Sequence, residues 1–469
     1  MTELREAYDV AGIGAGPAGL AAATVCARAG LATVLFDEQA SPGGQIYRAV
    51  TAAPVKRGTI LGADYWAGGE LAQKFLASGA HYVPGATVWN LTREREIGVS
   101  VAGAARMLKA ERVILATGAL ERPFPIPGWT LPGVMTAGAG QILLKSSGLV
   151  PDGHTVIAGC GPLLWLIAWQ YLNAGARIDA ILETAGANGP AAWRHVPEFL
   201  TSPYLIKGLR LLLAVRRRVR VVSGVIALRA EGSDRVEAVA YRTARCSEQR
   251  LPVDNLFLHQ GVVPNVNLAM AAGVEYRWDD GQLCWTPVLD AEGGSAIPGI
   301  AIAGDGAGIG GAEAAQARGA LAGLAAVRAL RPNASALAEE AAVRARLKRV
   351  LCGRAFLDAY YQPAAQFRRP SGDTLVCRCE EVTAGQIAET VALGCTGPNQ
   401  MKAFLRSGMG PCQGRLCGLT VTELIAQARG VEPQEVGYYR LRPPVKPITL
   451  AELAQLPKNE AALRSVARG

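Results

Sequence analysis

The sequence predicts an α/β chain with two Rossmann-like nucleotide-binding domains and a small, mostly helical domain built around cysteines. Three observations predict it. A glycine turn, GAGPAG, follows an apolar run near the N-terminus and opens a helical stretch. A second turn, GCGPLL, repeats that layout after residue 150. Four cysteines, Cys377, Cys379, Cys412 and Cys417, fall in a C-x-C and a C-x4-C clip near the C-terminus. Between these landmarks, runs such as RVILATG, HTVIAGCG, RIDAILET, VDNLFLHQG and GIAIAGDG alternate with helical stretches, the pattern of parallel βαβ units.

The first unit runs from Ala7 to Asp37 as strand, turn, helix and strand, with the helix over about 17–29. Gly14 permits the tight turn, Gly16 lets backbone reach a pyrophosphate, and Gly19 allows close helix–strand packing. The helix N-terminus then offers unpaired N–H groups to phosphate. Asp37, with seventeen residues between it and Gly19, stands where a carboxylate meets the ribose hydroxyls. Glu38 is the alternate, because a shift of one residue changes the strand face. Downstream signals favour FAD over NAD here. PGGQIYR brings Gly44 and Gln45 close behind the carboxylate; Thr117 and Gly118 end one strand, and Gly304 and Asp305 end another. The Asp305 carboxylate suits the ribityl chain of a flavin.

The second unit departs from the pattern at one position. Gly159 and Gly161 are kept, but Leu164 occupies the third glycine position and Glu183 follows one residue later than Asp37 does. Such a leucine holds the helix off the strand, so this pocket is expected to be weak for NAD(P)H, vacant, or filled by another adenine nucleotide. The resulting division is 1–150 for the first part of the FAD domain, 151–265 for the second nucleotide fold, and 266–330 for the return to the first. A charged connector (331–372), a cluster domain (373–432) and a proline-containing tail (433–469) follow, the last expected to be an extended strap. Thr383 and Gln386 form a capping-box pattern, and a further helix is expected over 399–406.

Four thiolates in two clips are what a [2Fe–2S] cluster needs, two for each iron. Zinc also accepts four cysteines, but its clips are usually wider than C-x-C. The chain has no C-x-x-C, which excludes a thioredoxin-type dithiol. Cys26 reads as a core thiol, and Cys395 is a fifth, solitary candidate ligand. The histidines show no metal or triad spacing; His259 alone follows a strand, where ligands gather in α/β folds. No general base and no carboxylate clamp for a substrate stand out, so no catalytic residue is assigned.

The net charge of +9 includes a dense run at Arg216, Arg217, Arg218 and Arg220. Without interleaved aromatics it reads as a solvated strand edge, not a nucleic-acid site. No apolar run is long enough for a membrane span, and no secretory signal is evident. Ten cysteines in so long a chain read as reduced thiols plus a metal site, which points to the cytoplasm.

Taken together, YDVAGIGAGPAG, DEQASPGGQIYR, ATGALERPFPIPGWTLPGV, GDGAGIGGAEAA and CRCEEV…GMGPCQGRLCG resemble the FAD-containing α subunits of heteromeric amino-acid and opine dehydrogenases. That group includes the A-type subunits of octopine and nopaline oxidases, the FAD subunit of hydrogen cyanide synthase and D-hydroxyproline dehydrogenase subunits. The cysteine block is similar to bacterioferritin-associated ferredoxin, and the nucleotide folds to disulfide-reductase flavoproteins. The resemblance implies an electron-transfer subunit. A flavoprotein β subunit of D-amino-acid oxidase type would oxidise the substrate, and some members carry a small iron–sulfur γ subunit as well. A quinone or other acceptor would take the electrons, placing a cytoplasmic protein at the periphery of the inner membrane. Two alternatives remain open on the residues alone: a self-sufficient NAD(P)H-dependent reductase, and a redox-sensing scaffold.

Overall fold

A computed structural model describes residues 4–58, 60–186 and 189–456. The N-terminal run forms β1 (Ala7–Ile13), followed by α1 (Pro17–Arg28) and β2 (Thr33–Asp37). These strands read as unbroken apolar runs because both faces of a parallel sheet are covered. Next come α2 (Ala63–Leu76), β3 (His81–Pro84), β4 (Ala86–Leu91), β5 (Glu96–Val101) and β6 (Ala104–Leu115). The sheet order is β3-β2-β1-β6, with Ile300–Ile302 also pairing β6 in parallel. The second half of β6 lies parallel to β1, whereas its first half forms an antiparallel meander with β5 and β4.

The helix Ala312–Leu330 crosses α1 at close range. A Cβ on Gly319 would stand 2.1 Å from the Ala18 carbonyl oxygen, so this approach needs glycine. The Cys26 thiol sits in the same seam, 3.6 Å from the Gly323 carbonyl, and burial pushes it up to about 12. It is a core thiol.

A second parallel sheet contains β8 (Val134–Thr136), β9 (Thr155–Cys160), β10 (Ala180–Glu183), Arg220–Val222 and Asn255–Gln260. Its order is Arg220–Val222, β10, β9, Asn255–Gln260, β8. Thus β8 and the helix α3 (Ala137–Ser147) go with the second sheet, earlier than the boundary at 150 expected from sequence. A three-residue strand carries too little periodicity to be read in advance. The helix α4 (Pro162–Asn173) follows β9, and Leu164 is fully buried in the core beside it. Crossing between the sheets, β7 (Ala119–Glu121) pairs antiparallel with Val262–Pro264.

The connector folds into Glu340–Leu351, Arg354–Tyr360 and Ala365–Arg368. Beyond it, Leu375–Cys377 pairs with Val382–Thr383, and three helices follow: Ala384–Ala392, Pro398–Leu405 and Gly418–Arg429. The Thr383–Gln386 capping box is present. Ile387, Met401, Val421 and Ile425 make the core here, joined by Tyr439 and Leu441 from the tail. The tail therefore helps to build this region. Its described part is extended between two short helices, Pro433–Val436 and Leu450–Ala454, and Val445 is buried against the first sheet. Residues 457–469 of the tail lie outside the described residues.

One buried ion cluster ties these parts together. Glu423 pairs with Arg122, which follows β7, at 3.9 Å, and with Arg368 of the connector. Arg122 also donates to the carbonyls of Gln282 and Leu283. Removing the shared carboxylate leaves two buried cations without a counter-charge. Glu423→Ala should therefore destabilise the chain by about 3–5 kcal/mol, read by urea unfolding; a loss within experimental error would show that the cluster is dispensable.

Candidate cofactor sites and the cysteine pairs

The first glycine turn is built by backbone contact. A Cβ on Gly19 would lie 1.8 Å from the Gly14 carbonyl oxygen, and one on Gly44 would lie 2.7 Å from the Gly16 Cα. The two glycine segments thus touch, joined also by the Gly43 N–H donating to the Ala15 carbonyl. Gly16 caps α1 without any side-chain hydrogen bond, which leaves the first-turn donors for a ligand. Asp37 is buried at the end of β2, where its carboxylate accepts the N–H of Ala15 and, at 2.7 Å, that of Gln39. Burial raises its carboxyl above the usual range, and the two N–H groups oppose that rise. Two of its roughly four lone-pair sites remain for ribose hydroxyls. Glu38 points the other way, exposed and 2.8 Å from Lys446 of the tail.

The remaining predicted residues fall in two places. Thr117 and Gly118 follow β6, and both meet Asn265: its N–H donates to the Gly118 carbonyl at 3.0 Å, while its carbonyl accepts from Thr117 Oγ1 at 3.4 Å. Gly304 and Asp305 form a 3-10 turn before the helix Ala312–Leu330, with Asp305 Oδ1 accepting the N–H of Gly310 and Gly311. Gln45 is exposed and accepts from Arg48 at 2.7 Å, so its side chain turns away from the glycine pair.

Sequence reasoning missed Lys145, a fully buried lysine on α3. Its Nζ donates to the backbone carbonyls of Gln45 (3.3 Å) and Ile46 (2.9 Å) and to Gln141 Oε1 (2.8 Å). Burial, helped by Arg48, lowers it from the ordinary 10.5 to about 7. It fastens the second domain to the loop behind the first glycine turn. Nothing local marks it, since its partners are mostly main-chain atoms.

The second cleft is occupied by the chain itself. The carboxyl ends of three neighbouring parallel strands, where ligands bind in this architecture, all meet the connector. Cys160 Sγ donates to the Tyr361 carbonyl (3.4 Å), Ala185 bridges Pro363 just past β10, and Gln260 Nε2 donates to the Phe367 carbonyl (3.2 Å). His259 is buried beside Gly161 and hydrogen-bonds Glu121 at 2.7 Å. Beside these contacts lies a cleft of about 150 Å³ lined by Glu183, Ser223, Gly224 and Tyr360 among others. In it Glu183 accepts from Ser223 Oγ at 2.7 Å.

The four cysteines come together as two pairs, each taking one member from each clip. Cys377 is hydrogen-bonded to Cys417; that bond, with N–H groups of Gly408, Glu380 and Cys379, lowers Cys377 to about 6. Its partner Cys417 is pushed well above the ordinary thiol range by the same sharing. Cys379 faces Cys412 and accepts its backbone N–H. A Cβ on Gly410 would stand 2.3 Å from Cys379 Cβ, which explains the glycine in GMGPC. Cys377 and Cys417 are buried, Cys412 half-buried and Cys379 exposed. Among the described residues, no three His, Cys, Asp or Glu side chains gather around a single ion position. Cys395 stands apart, its thiol on the Gly397 carbonyl. Main-chain N–H groups aimed at sulfur suit thiolates that ligate iron.

A side-chain hydrogen bond joins the cysteine clip to the segment that meets the first site, beside apolar packing of Val266 and Leu419. Asn267, two residues beyond Asn265, donates through Nδ2 to the Gln413 carbonyl at 2.8 Å. Gln413 follows Cys412 directly.

The profile of the pyridine nucleotide-disulphide oxidoreductase family matches residues 8–319, and that of the sarcosine oxidase A3 domain matches 371–456. The chain belongs to the pyridine nucleotide-disulphide oxidoreductase family, a class of flavin oxidoreductases, and this membership implies FAD. It is 51% identical to the A-type subunit of opine oxidase from Rhizobium meliloti, over 99% of this chain and 90% of that protein. It is 34% identical to hydrogen cyanide synthase subunit HcnB of Pseudomonas aeruginosa, over 95% of this chain and 98% of the relative. Both relatives are subunits of larger enzymes by name, so a partner subunit is implied. The fold matches L-proline dehydrogenase from P. horikoshii with a TM-score of 0.69 at 21% identity, over 95% of this chain and 79% of that one.

Lys145 makes stability depend on pH. Between about pH 7 and 10 the unfolded chain holds a proton that the folded chain lacks, so this group makes stability rise with pH across that window. Below it, the folded state carries the full cost of a buried cation. Lys145→Met should flatten that rise in a series of melting temperatures, and an unchanged slope would assign the proton elsewhere. Gly44→Val should lower the flavin-to-protein absorbance ratio, because a side chain there strikes the Gly16 backbone; full flavin occupancy would mean the cofactor does not use this turn.

Proposed function

We propose that this chain is the electron-transfer subunit of a heteromeric amino-acid, imino-acid or opine dehydrogenase. It would relay electrons from a substrate-oxidising flavoprotein β subunit, of D-amino-acid oxidase type, to a quinone or other acceptor; a small iron–sulfur γ subunit is a further partner of the kind this reading allows. The observation that carries it is the join from Thr117–Gly118 through Asn265 and Asn267 to Gln413 and the cysteine pairs. FAD and a [2Fe–2S] cluster supply two-electron and one-electron exchange, respectively, when bound.

The residues take the following roles. Gly14, Gly16, Gly19 and Gly44 admit the dinucleotide backbone, Asp37 accepts from its ribose, and Thr117, Gly118, Gly304 and Asp305 border the flavin end. Gln45 belongs to this set through its backbone, and Glu38 has instead become an anchor for the tail. Cys377, Cys379, Cys412 and Cys417 hold the irons in two pairs, with the exposed Cys379 side nearest to an exchange partner. No side chain here is asked to remove a proton from substrate, which is the β subunit's task. The connector over the second cleft supports a partner as the electron source, because backbone already fills the strand ends that a nicotinamide would need.

Cys412→Ser tests the separation of the two centres. The variant should lose the cluster's visible absorbance and its low-temperature electron paramagnetic resonance signal while retaining stoichiometric flavin. Loss of both cofactors together would contradict the arrangement.

A further inference from the structure

The helix Tyr204–Arg216 is apolar on two opposite faces. Val215 is fully buried, and Leu211 and Leu212 pack on the core of the second domain. At about 100° per residue, Ile206, Leu209 and Leu213 fall on the far side, where they are 61%, 51% and 53% exposed. The short helices just before it carry two more exposed apolar side chains, Trp193 (71%) and Leu200 (59%). An apolar stripe on a helix is normally covered, and among the described residues nothing covers the outer one.

The charge along this helix and the segment after it has one sign. From Phe199 to Ala230 the sequence contains no Asp or Glu, while Lys207, Arg210, Arg216, Arg217, Arg218 and Arg220 are all exposed. Lys207 pairs with Asp64, Arg216 lies over the Trp165 ring, and Arg218 donates to the Leu172 carbonyl. The side chains of Arg210 and Arg217 make no hydrogen bond or ion pair among the described residues. By the same helical geometry these two stand on the outer face, next to Ile206 and Leu213. Exposed Leu and Ile on one helix face, bordered by unpaired Arg, are the chemistry of a helix lying in a lipid interface; the acidic side chains nearby are Glu198, exposed on the preceding short helix, and Asp64, paired with Lys207. Among the described residues no helix is long and apolar enough to cross a membrane, so such contact would be from one side.

We propose that this face docks on an anionic phospholipid surface. Ile206, Leu209 and Leu213 enter the boundary between headgroups and acyl chains, and Arg210 and Arg217 meet the phosphates. The inference is independent of the route of the electrons and of either cofactor.

The test is flotation of the full chain, by itself and with its partner subunit, on phosphatidylcholine vesicles with and without about a quarter phosphatidylglycerol. Binding should be about tenfold greater to the anionic vesicles and should fall towards the neutral level at high salt. Leu209→Glu/Leu213→Glu should lower it about tenfold. So should Arg210→Glu/Arg217→Glu, whose exposed positions leave the fold intact, as an unchanged melting temperature would verify. Failure of the wild type to float, or undiminished binding by the arginine variant, would overturn the proposal. So would loss of the partner subunit from the variant in the absence of any vesicle binding, which would make the face a protein interface.

Discussion

Much of this structure depends on one buried carboxylate. Glu423 lies on the helix that begins directly after Cys417, and it meets Arg122 and Arg368 away from solvent. Two guanidinium groups against one carboxylate leave an uncompensated positive charge, an arrangement tolerated only where further acceptors surround it. The Gln282 and Leu283 carbonyls supply two of them to Arg122. Because Arg122 follows the crossing strand β7 and Arg368 ends the connector's last helix, one side chain fixes both the cysteine helix and the segment over the second cleft. The cysteine helix is thereby held against β7 and the connector by an ion cluster as well as by packing.

What was legible in the sequence was local. The GAGPAG turn, Asp37 and the Thr383 cap each depend on neighbours within a few dozen residues, and they stand where periodicity and spacing placed them. The choice between Asp37 and Glu38 needed the sheet, because a single residue step separates a buried carboxylate from an exposed one. The elements that escaped are those whose partners are distant or main-chain. Lys145 reads as an ordinary surface lysine until the Gln45 and Ile46 carbonyls stand beside it. Glu423 reads as a solvated helix charge until two arginines from remote segments surround it. The meander of β4, β5 and the first half of β6 was invisible for a different reason: β6 is one continuous run that changes partners and direction of pairing midway.

The second nucleotide unit has kept its topology while its ligand end has been given to the chain. Leu164 is the local sign of this, a bulky side chain where a dinucleotide site has glycine, and it forms part of the core. The connector completes the change by hydrogen-bonding across the ends of three strands. His259, which its place after a strand marked as a residue near the ligand end, is held by Glu121 beside the same turn. On the proposed reading the second domain serves as a platform for the connector and the cysteine region, and the redox chemistry belongs to the first site and the cysteine pairs.

The most direct test is an anaerobic titration of the purified chain with NADH and then NADPH, following the flavin band. If electrons reach this chain from a partner subunit, neither nucleotide bleaches the flavin and dithionite bleaches it readily. Stoichiometric bleaching by a nicotinamide would show instead that the second cleft works as a donor site, and would contradict the assignment of that domain as a platform.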